Sequence, residues 1–385
     1  MQLALTQEQQ LIQSTARQFA ETELAPLAPE LDKHQGREQF LENLKALAEL
    51  GYMGLNISAQ YGGSEAGVVA FSAALTELAR GCANTAVTVS VTNMVAEVIQ
   101  AVGNEEQKQA YLPKLCNGEF AAGAFCLTES SAGSDPSNMK TRAVRDGDDW
   151  VLSGSKIYIT SAEYAGCFVV WAVTDATAKR GKGISCFLVD ADLPGISIAK
   201  AEEKMGQRGS ATNEVVFDQC RIPSSAMLGK ENQGYAIAVG ELAGGRIGVG
   251  SLALGIGQAA MDYARNYLGE REQFGQKIGN FQGLKWMLAD RYTELEAARL
   301  LLMQAAYLKE SDQDFGAAAS MAKVFATEKA NDACYSAIQM MGGAGYIQEY
   351  PLERLARDVR ITTIYEGTSE VQRLIIARDL LKDIL

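Results

Sequence analysis

Histidine is the scarcest residue of functional interest in this 385-residue chain: there is one, His34. Its isolation removes much chemistry at once. No Ser–His–Asp triad is easily built, no H-E-x-x-H zinc motif occurs, and no resident metal is expected. His34 stands in the polar run Asp32-Lys33-His34-Gln35, which reads as solvated surface. Any general base is therefore sought among carboxylates, Tyr, Lys and Cys. No G-x-x-x-x-G-K-[ST] motif exists, which excludes P-loop chemistry. Gly248-Val-Gly250 lies inside a helical pattern and Gly342-Gly343-Ala344-Gly345 ends one, so neither has the strand–turn–helix context of a dinucleotide fingerprint. Basic charge is also short. Thirty-five Lys and Arg against 47 Asp and Glu give a net charge of −12, which disfavours a broad grip on nucleic acid or an anionic membrane.

Disulfide and membrane signals are missing as well. The cysteines Cys82, Cys116, Cys126, Cys167, Cys186, Cys220 and Cys334 are odd in number and form no C-x-x-C pair. They read as buried thiols of a reduced, intracellular protein. No uninterrupted apolar run reaches 18 residues, so no membrane span is expected. The start MQLALTQEQQ has neither a basic nor an apolar leader region, so no signal peptide is expected. A cytoplasmic location fits, or an organellar matrix if a transit peptide has been removed.

The composition that remains is that of a globular protein, long enough for two or three domains with an ample core. Residues 1–119 read as helices. Leu11, Ile12, Thr15, Phe19 and Ala20 recur at helical spacing after a capping-box pair, Thr6 and Gln9. Phe40, Leu44, Leu47 and Leu50 form a second stripe closed by Gly51, and Phe71, Leu75 and Leu78 a third closed by Gly81. Residues 120–231 change period. Strand composition appears at 150–160, 167–173, 184–189 and 214–217, separated by the turn signals Asp146-Gly147, Gly181-Lys182-Gly183 and Leu193-Pro194-Gly195. Residues 232–385 return to helices: a Gly/Ala/Ser-rich stretch at 244–264 suited to close helix contact, long patterns at 284–309 and 317–341, and a last helix at 368–384. An α–β–α order with the strands in mid-chain argues against a Rossmann fold.

Two segments carry candidate chemistry. Phe125-Cys-Leu-Thr-Glu-Ser-Ser-Ala-Gly-Ser-Asp135 offers hydroxyls and backbone N–H groups for a polar ring or a phosphate, and equally reads as a plain Ser/Gly loop. Ile364-Tyr-Glu-Gly-Thr-Ser-Glu-Val-Gln372 precedes the last helix, with Ser369 and Gln372 at capping-box spacing. Glu366 there is either a carboxylate complementing a helix N-terminus or a general base on a short loop.

Four motifs now stand in order: Leu127-Thr-Glu-Ser-Ser-Ala-Gly-Ser-Asp135; Met205-Gly-Gln-Arg-Gly-Ser-Ala-Thr212; Arg271-Glu-Gln-Phe-Gly275 with Phe281-Gln282; and Gln339-Met-Met-Gly-Gly343 followed by Tyr365-Glu-Gly-Thr-Ser369. On these motifs the chain resembles the acyl-CoA dehydrogenase family over essentially its full length. The resemblance implies a helical N-terminal domain, a β-barrel-like middle domain and a C-terminal four-helix bundle. It implies FAD and the oxidation of an acyl-CoA thioester to trans-2-enoyl-CoA, electrons passing to an electron-transferring flavoprotein. It also implies a homo-oligomer, usually a tetramer.

Residue by residue, Glu366 matches the family's base, which takes the α-proton. Some branched-chain members carry the base one residue before the arginine matched by Arg246; this chain has Gly245 there. Phe125, Leu127, Thr128, Ser134, Tyr158, Thr160, Thr368 and Glu370 match positions that hold FAD within one subunit. Arg271, Gln273, Phe274, Gln282, Gln339 and Gly343 match segments that reach the FAD of a neighbour. Ser134, Arg246, Tyr365 and Gly367 match positions at the substrate. The stretch from Gly244 to Gln258 is most similar to short-chain members, which implies a C4–C6 acyl group. Three departures stand out. Tyr158 replaces a common Trp, Ser130 a common Pro, and Ala243 an Asp that contacts the pantetheine arm. Ala243 keeps open a second reading, the same fold acting on another thioester carrier or as an oxidase or enoyl reductase. A third reading is a catalytically silent helical scaffold.

Overall fold

The structure is a computed structural model, and it describes residues 4–384. The outermost residues of the expected terminal domains, 1–3 and 385, lie outside the described residues. The N-terminal region holds α1 (Gln7–Phe19), α2 (Ala25–Asp32), α3 (Arg37–Glu49), α4 (Val68–Gly81), α5 (Ala83–Val102) and α6 (Glu105–Cys116). Thr6 and Gln9 form the expected reciprocal capping box on α1. One π-helical turn, Ala20–Leu24, joins α1 to α2. The run Thr85-Ala-Val-Thr-Val-Ser-Val-Thr92 has strand composition and gives no helical stripe, yet it forms the heart of α5. Most of α5 is buried, and burial all round overrides propensity.

Strands β1 (Gly123–Cys126), β2 (Arg142–Asp146), β3 (Asp149–Thr160), β4 (Cys167–Val173), β5 (Ile184–Asp190), β6 (Ile196–Ile198), β7 (Thr212–Pro223) and β8 (Met227–Leu228) make one sheet. Its path runs β6-β7-β3-β2-β4-β5-β8, with β1 parallel to β4. The path does not close, so the barrel-like expectation resolves as an open sheet curved over its own core. Its ends, β6 and β8, are short, of three and two residues. β4 is buried on both faces. Cys167, Val169 and Trp171 face a core shared with α5 and α6, while Phe168, Val170 and Ala172 face the core of Trp150, Phe187 and Phe217.

The C-terminal region holds α7 (Gly234–Glu270), a small hairpin of β9 (Glu272–Gln273) and β10 (Gln276–Lys277), α8 (Gln282–Glu310), α9 (Gly316–Met341), α10 (Gly343–Tyr346), α11 (Leu352–Arg360) and α12 (Ser369–Leu381). Helices α7, α8, α9 and α12 form the bundle, and α11 packs across α7 and α9. Trp171 Nε1 donates to the Gly234 carbonyl at 2.8 Å, tying the start of α7 to the sheet. The small residues of α7 bring α4 and α9 into backbone contact with it. A Cβ on Gly255 would stand 2.1 Å from the Thr76 carbonyl oxygen of α4. One continuous core therefore runs from Ala16 and Leu78 through Ile247 and Leu254 to Ala330 and Val359. Helices α5 and α7 are long and apolar enough to cross a bilayer, but 67% of each apolar window is buried within the protein. All seven cysteines are buried and unpaired.

Gly255→Ala forces α7 away from α4, because the neighbour is backbone and cannot rotate aside. The expected loss is about 1–3 kcal/mol or more, read as a lower denaturation midpoint at unchanged m-value.

Candidate active site

Glu366 lies between a short 3-10 turn (Ile361–Thr363) and α12. Its φ is 54° and that of Gly367 is 86°, two successive left-handed residues. Such a conformation costs a glutamate about 1–3 kcal/mol unless its surroundings enforce it. Here Gln372 Nε2 donates to the carbonyls of Glu366 (3.0 Å) and Gly367 (2.9 Å), and Lys323 Nζ donates to the Gly367 carbonyl (2.8 Å). Thr368 caps α12, its Oγ1 accepting from the Val371 N–H at 3.3 Å. The expected pairing of Ser369 as cap with Gln372 is thus corrected. Ser369 is the first helical residue, and Gln372 turns back to the two carbonyls that the left-handed turn presents to it.

The Glu366 side chain reaches into a cleft between α5 and α7. Its Oε2 has no hydrogen-bond partner. A Cβ on Gly245 would lie 2.8 Å from that oxygen and 2.8 Å from Met94 Sδ of α5. The absent side chain at 245 is what gives the carboxylate its room. Desolvation pushes the carboxyl up to about 7, opposed by the buried cations Arg246 and Lys323. Burial in turn brings the Lys323 ammonium down to about 8 and lowers the Arg246 guanidinium, with Glu366 opposing both shifts. Arg246 is buried, its Nη1 reaches Ser320 Oγ at 3.4 Å, and its Nε has no partner. Just along α7, Lys309 of α8 pairs with Glu97 of α5. Glu241 stands beside both, its carboxyl pushed well above the ordinary range by burial and by Glu97. The Tyr365 hydroxyl accepts from Gln207 Nε2 at 3.3 Å.

A second polar surface lies on the sheet. The loop after β1 is fixed from beneath by a buried ion pair. Lys156 Nζ lies 2.7 Å from Glu129 Oε1 and 3.1 Å from the Leu127 carbonyl. Glu129 also accepts from the N–H groups of Lys140 and Thr141. Burial raises the Glu129 carboxyl, and Lys156 with those donors outweighs it, leaving the group below its ordinary value. A bulge in β3 lets both Lys156 and Ile159 point inward and turns Tyr158 out, with φ 58° and 63% exposure. Phe125 stacks on Trp171 at a ring distance of 4.3 Å. The Met205–Thr212 motif proves to be a junction. Asn84 Oδ1 accepts from the Gly209 and Ser210 N–H groups, and Asp358 accepts from the Gln207 N–H.

Comparison with known proteins gives this geometry its family. Residues 6–119, 124–220 and 232–381 match the models for the N-terminal, middle and C-terminal domains of acyl-CoA dehydrogenase. The chain belongs to the acyl-CoA dehydrogenase family. It is 45% identical over 379 residues to the short-chain-specific acyl-CoA dehydrogenase of Clostridium acetobutylicum, covering 98% of this chain and 99% of that one. Among solved structures, butyryl-CoA dehydrogenase from Megasphaera elsdenii is 39% identical at a TM-score of 0.95, covering 99% of this chain and all of that one. A chain solved in work on the electron transferring flavoprotein of Acidaminococcus fermentans is 42% identical at a TM-score of 0.97, with both chains covered in full.

Acyl-CoA dehydrogenases are FAD-dependent oxidoreductases, and the residues here suit such a cofactor. Thr128 and Thr160 stand part-exposed beside the open Tyr158 ring, and Ser134 is exposed. The Ser161 and Ser369 hydroxyls, next to Thr160 and Thr368, are buried without a partner. Space beyond Gly133 is open. The structure brings together Glu366, Arg246, Tyr365, Gly367 and Thr368 around one turn, with Glu370 exposed in the first turn of α12. Arg271, Gln273, Phe274, Gln282, Gln339 and Gly343 lie elsewhere, all exposed on the C-terminal region. Sequence reasoning missed Lys323, the Lys156–Glu129 pair and Met94, and gave Gln372 a capping role in place of its bonds to the turn. For the two lysines a signal existed: each is a lone cation in an otherwise apolar or small-residue run.

Lys156→Met strands the Glu129 carboxylate beneath the loop. A loss of about 3–5 kcal/mol in unfolding free energy is expected, with Lys156→Met/Glu129→Gln recovering part of it in the same denaturation experiment.

Proposed function

We propose that this chain oxidises a short-chain acyl-CoA thioester to trans-2-enoyl-CoA, with Glu366 taking the α-proton. The observation that carries this reading is the Glu366 carboxylate: desolvated, raised to about 7, free at Oε2, and lodged against Gly245. A carboxylate without hydrogen-bond donors is a stronger base than a solvated one, and it is still ionised at the pH where it works. The Glu366 N–H donates to no protein acceptor among the described residues. It is free for the thioester oxygen, and a donor to a developing oxyanion contributes roughly 3–4 kcal/mol. Bound FAD supplies the acceptor for the β-hydride.

Thr128, Ser134, Thr160, Thr368 and Glu370 supply polar groups for the cofactor within one subunit, with Phe125, Leu127 and Tyr158 as its apolar and aromatic surface. Arg271, Gln273, Phe274, Gln282, Gln339 and Gly343 serve the FAD of a neighbouring subunit. Arg271 suits the pyrophosphate, because a guanidinium fork pairs with phosphate oxygens. A homotetramer is supported by the apolar side chains left open on the C-terminal region: Phe274 (91%), Tyr346 (80%) and Tyr335 (73%). Ser134, Arg246, Tyr365 and Gly367 line the substrate. Beside Met94 the space between α5 and α7 is narrow, and one turn on, Ser90 Oγ lies 2.5 Å from where a Gly248 Cβ would be. That closure favours a short acyl chain. On this reading the domains are 1–119, 120–231 and 232–385, electrons leave to an electron-transferring flavoprotein, and the work is fatty acid β-oxidation in the cytoplasm. Ala243, where a polar side chain would contact pantetheine, keeps a second reading, the same fold acting on another thioester carrier or as an oxidase or enoyl reductase.

Anaerobic titration with butyryl-CoA bleaches the flavin stoichiometrically and yields crotonyl-CoA. A flavin bleached only by carrier-bound thioesters selects the second reading instead. Glu366→Gln retains FAD but is not reduced by substrate. In the wild type kcat/KM rises with pH through about 7 and falls about tenfold per unit on the acid side, since only the ionised base acts. Stability runs the other way. The folded state holds the Glu366 proton more tightly, so this contribution is full below about 4.5 and is lost as pH rises through about 7. Glu366→Gln removes that dependence in denaturation curves taken across this window. Arg271→Ala lowers flavin occupancy after dialysis, read as the ratio of visible to ultraviolet absorbance.

A further inference from the structure

We propose that Lys323 and Gln372 are positioning residues, a clamp from α9 and α12 that fixes the left-handed turn Glu366-Gly367 and thereby aims the carboxylate. The proposal rests on the reading of Glu366 as the base. Both clamp side chains are wholly buried. A buried ammonium is costly unless it is paired, yet Lys323 forms no ion pair within 4 Å among the described residues. Its hydrogen bond there goes to the Gly367 carbonyl. Helix packing alone would be served better by Met or Leu at this position. Gln372 shows the same pattern. Its Nε2 serves both carbonyls of the turn, while its Oε1 is buried without a partner. Gly367 completes the fit, for a Cβ there would lie 2.8 Å from Gln372 Nε2.

The clamp resists a specific strain. Glutamate leaves the left-handed region readily, and a change at that one φ would swing the carboxylate off Gly245 and out of line with the α-carbon. Misplacement of a reacting group by about 1 Å costs on the order of a hundredfold in rate. Lys323 does a second thing that Gln372 does not: it presents positive charge to the carboxylate. The groups facing Glu366 are Arg246 and Glu241 from α7, Lys323 from α9, the neutral Gln372 from α12, the uncharged Met94 from α5, and Tyr365 beside it in the chain. The two halves of the clamp are therefore separable by experiment.

The FAD-loaded protein is reduced by butyryl-CoA in an anaerobic stopped-flow instrument across pH, with Glu366→Gln as reference. Gln372→Leu lowers the limiting rate about ten- to a hundredfold with half-saturation little changed and the acid limb in place. Lys323→Met lowers the rate similarly and moves the acid limb up by about one pH unit, since a nearby cation favours the ionised base. Lys323→Gln keeps a donor for the Gly367 carbonyl, loses less rate, and shows the same displaced limb. Lys323→Arg returns the limb toward its wild-type place. The Glu366 carboxyl is also titrated without substrate, as the infrared band missing from Glu366→Gln. An unmoved midpoint in both Lys323→Met and Lys323→Gln, or an undiminished limiting rate in Gln372→Leu, overturns the clamp. Wild-type reduction in Glu366→Gln overturns the base itself.

Discussion

Everything in this molecule is referred to α7. Its small residues let α4 and α9 approach to backbone contact and let side chains of α5 and α8 press against it, and Trp171 ties its first turn to the sheet. The same helix carries Gly245 beneath Glu366, Arg246 beside it and Glu241 one turn before. Because packed interiors tolerate displacements of only a fraction of an ångström, fixing α7 fixes the floor of the site. Glycine at 245 serves packing and chemistry together: it brings Met94 close and leaves a carboxylate-sized space.

The electrostatics of the site follow from that closeness. A carboxylate surrounded by protein would rise far above neutrality on desolvation alone, and two buried cations next to it would pull it far below. The structure sets one against the other, and the base rests near 7. Neither cation forms a direct ion pair with it among the described residues. A contact ion pair would occupy the lone pairs that the reaction needs. The cations act through space, tuning the carboxylate without covering it.

The α–β–α order, the capping box on α1 and the close-packing role of 244–264 were legible because they rest on local period and composition. Strands at 150–160, 167–173 and 184–189 appear where alternation and turn residues agree. β1, β2, β6 and β8 escaped notice because strands of two to five residues carry too little sequence for a pattern. α5 was hidden by its threonines and valines, which report burial rather than conformation. For the site, the Tyr365-Glu366-Gly367 turn was legible as a motif, and the contacts supporting it were not. Lys323 acts from a helix 44 residues away in sequence from Gly367, which no local rule reaches, while Gln372, 5 residues away, was seen but given the wrong partner. The capping reading at Ser369 failed for a related reason. Spacing identifies a hydrogen-bonding pair, but the direction a side chain takes depends on which carbonyls the preceding turn presents.

The continuous core joining the first and last helical regions bears on how the chain is made. α4 and α5 emerge from the ribosome well before α7, the helix on which they pack, so their apolar faces wait unpartnered. At translation rates of about 5–20 residues per second that interval is on the order of 10–30 s. The intervening sheet carries its own core and can fold in the meantime, while the N-terminal helices cannot finish until the C-terminal ones arrive. Such long-range closure slows folding and leaves the nascent N-terminal segment the part most exposed to aggregation and most in need of a holding chaperone.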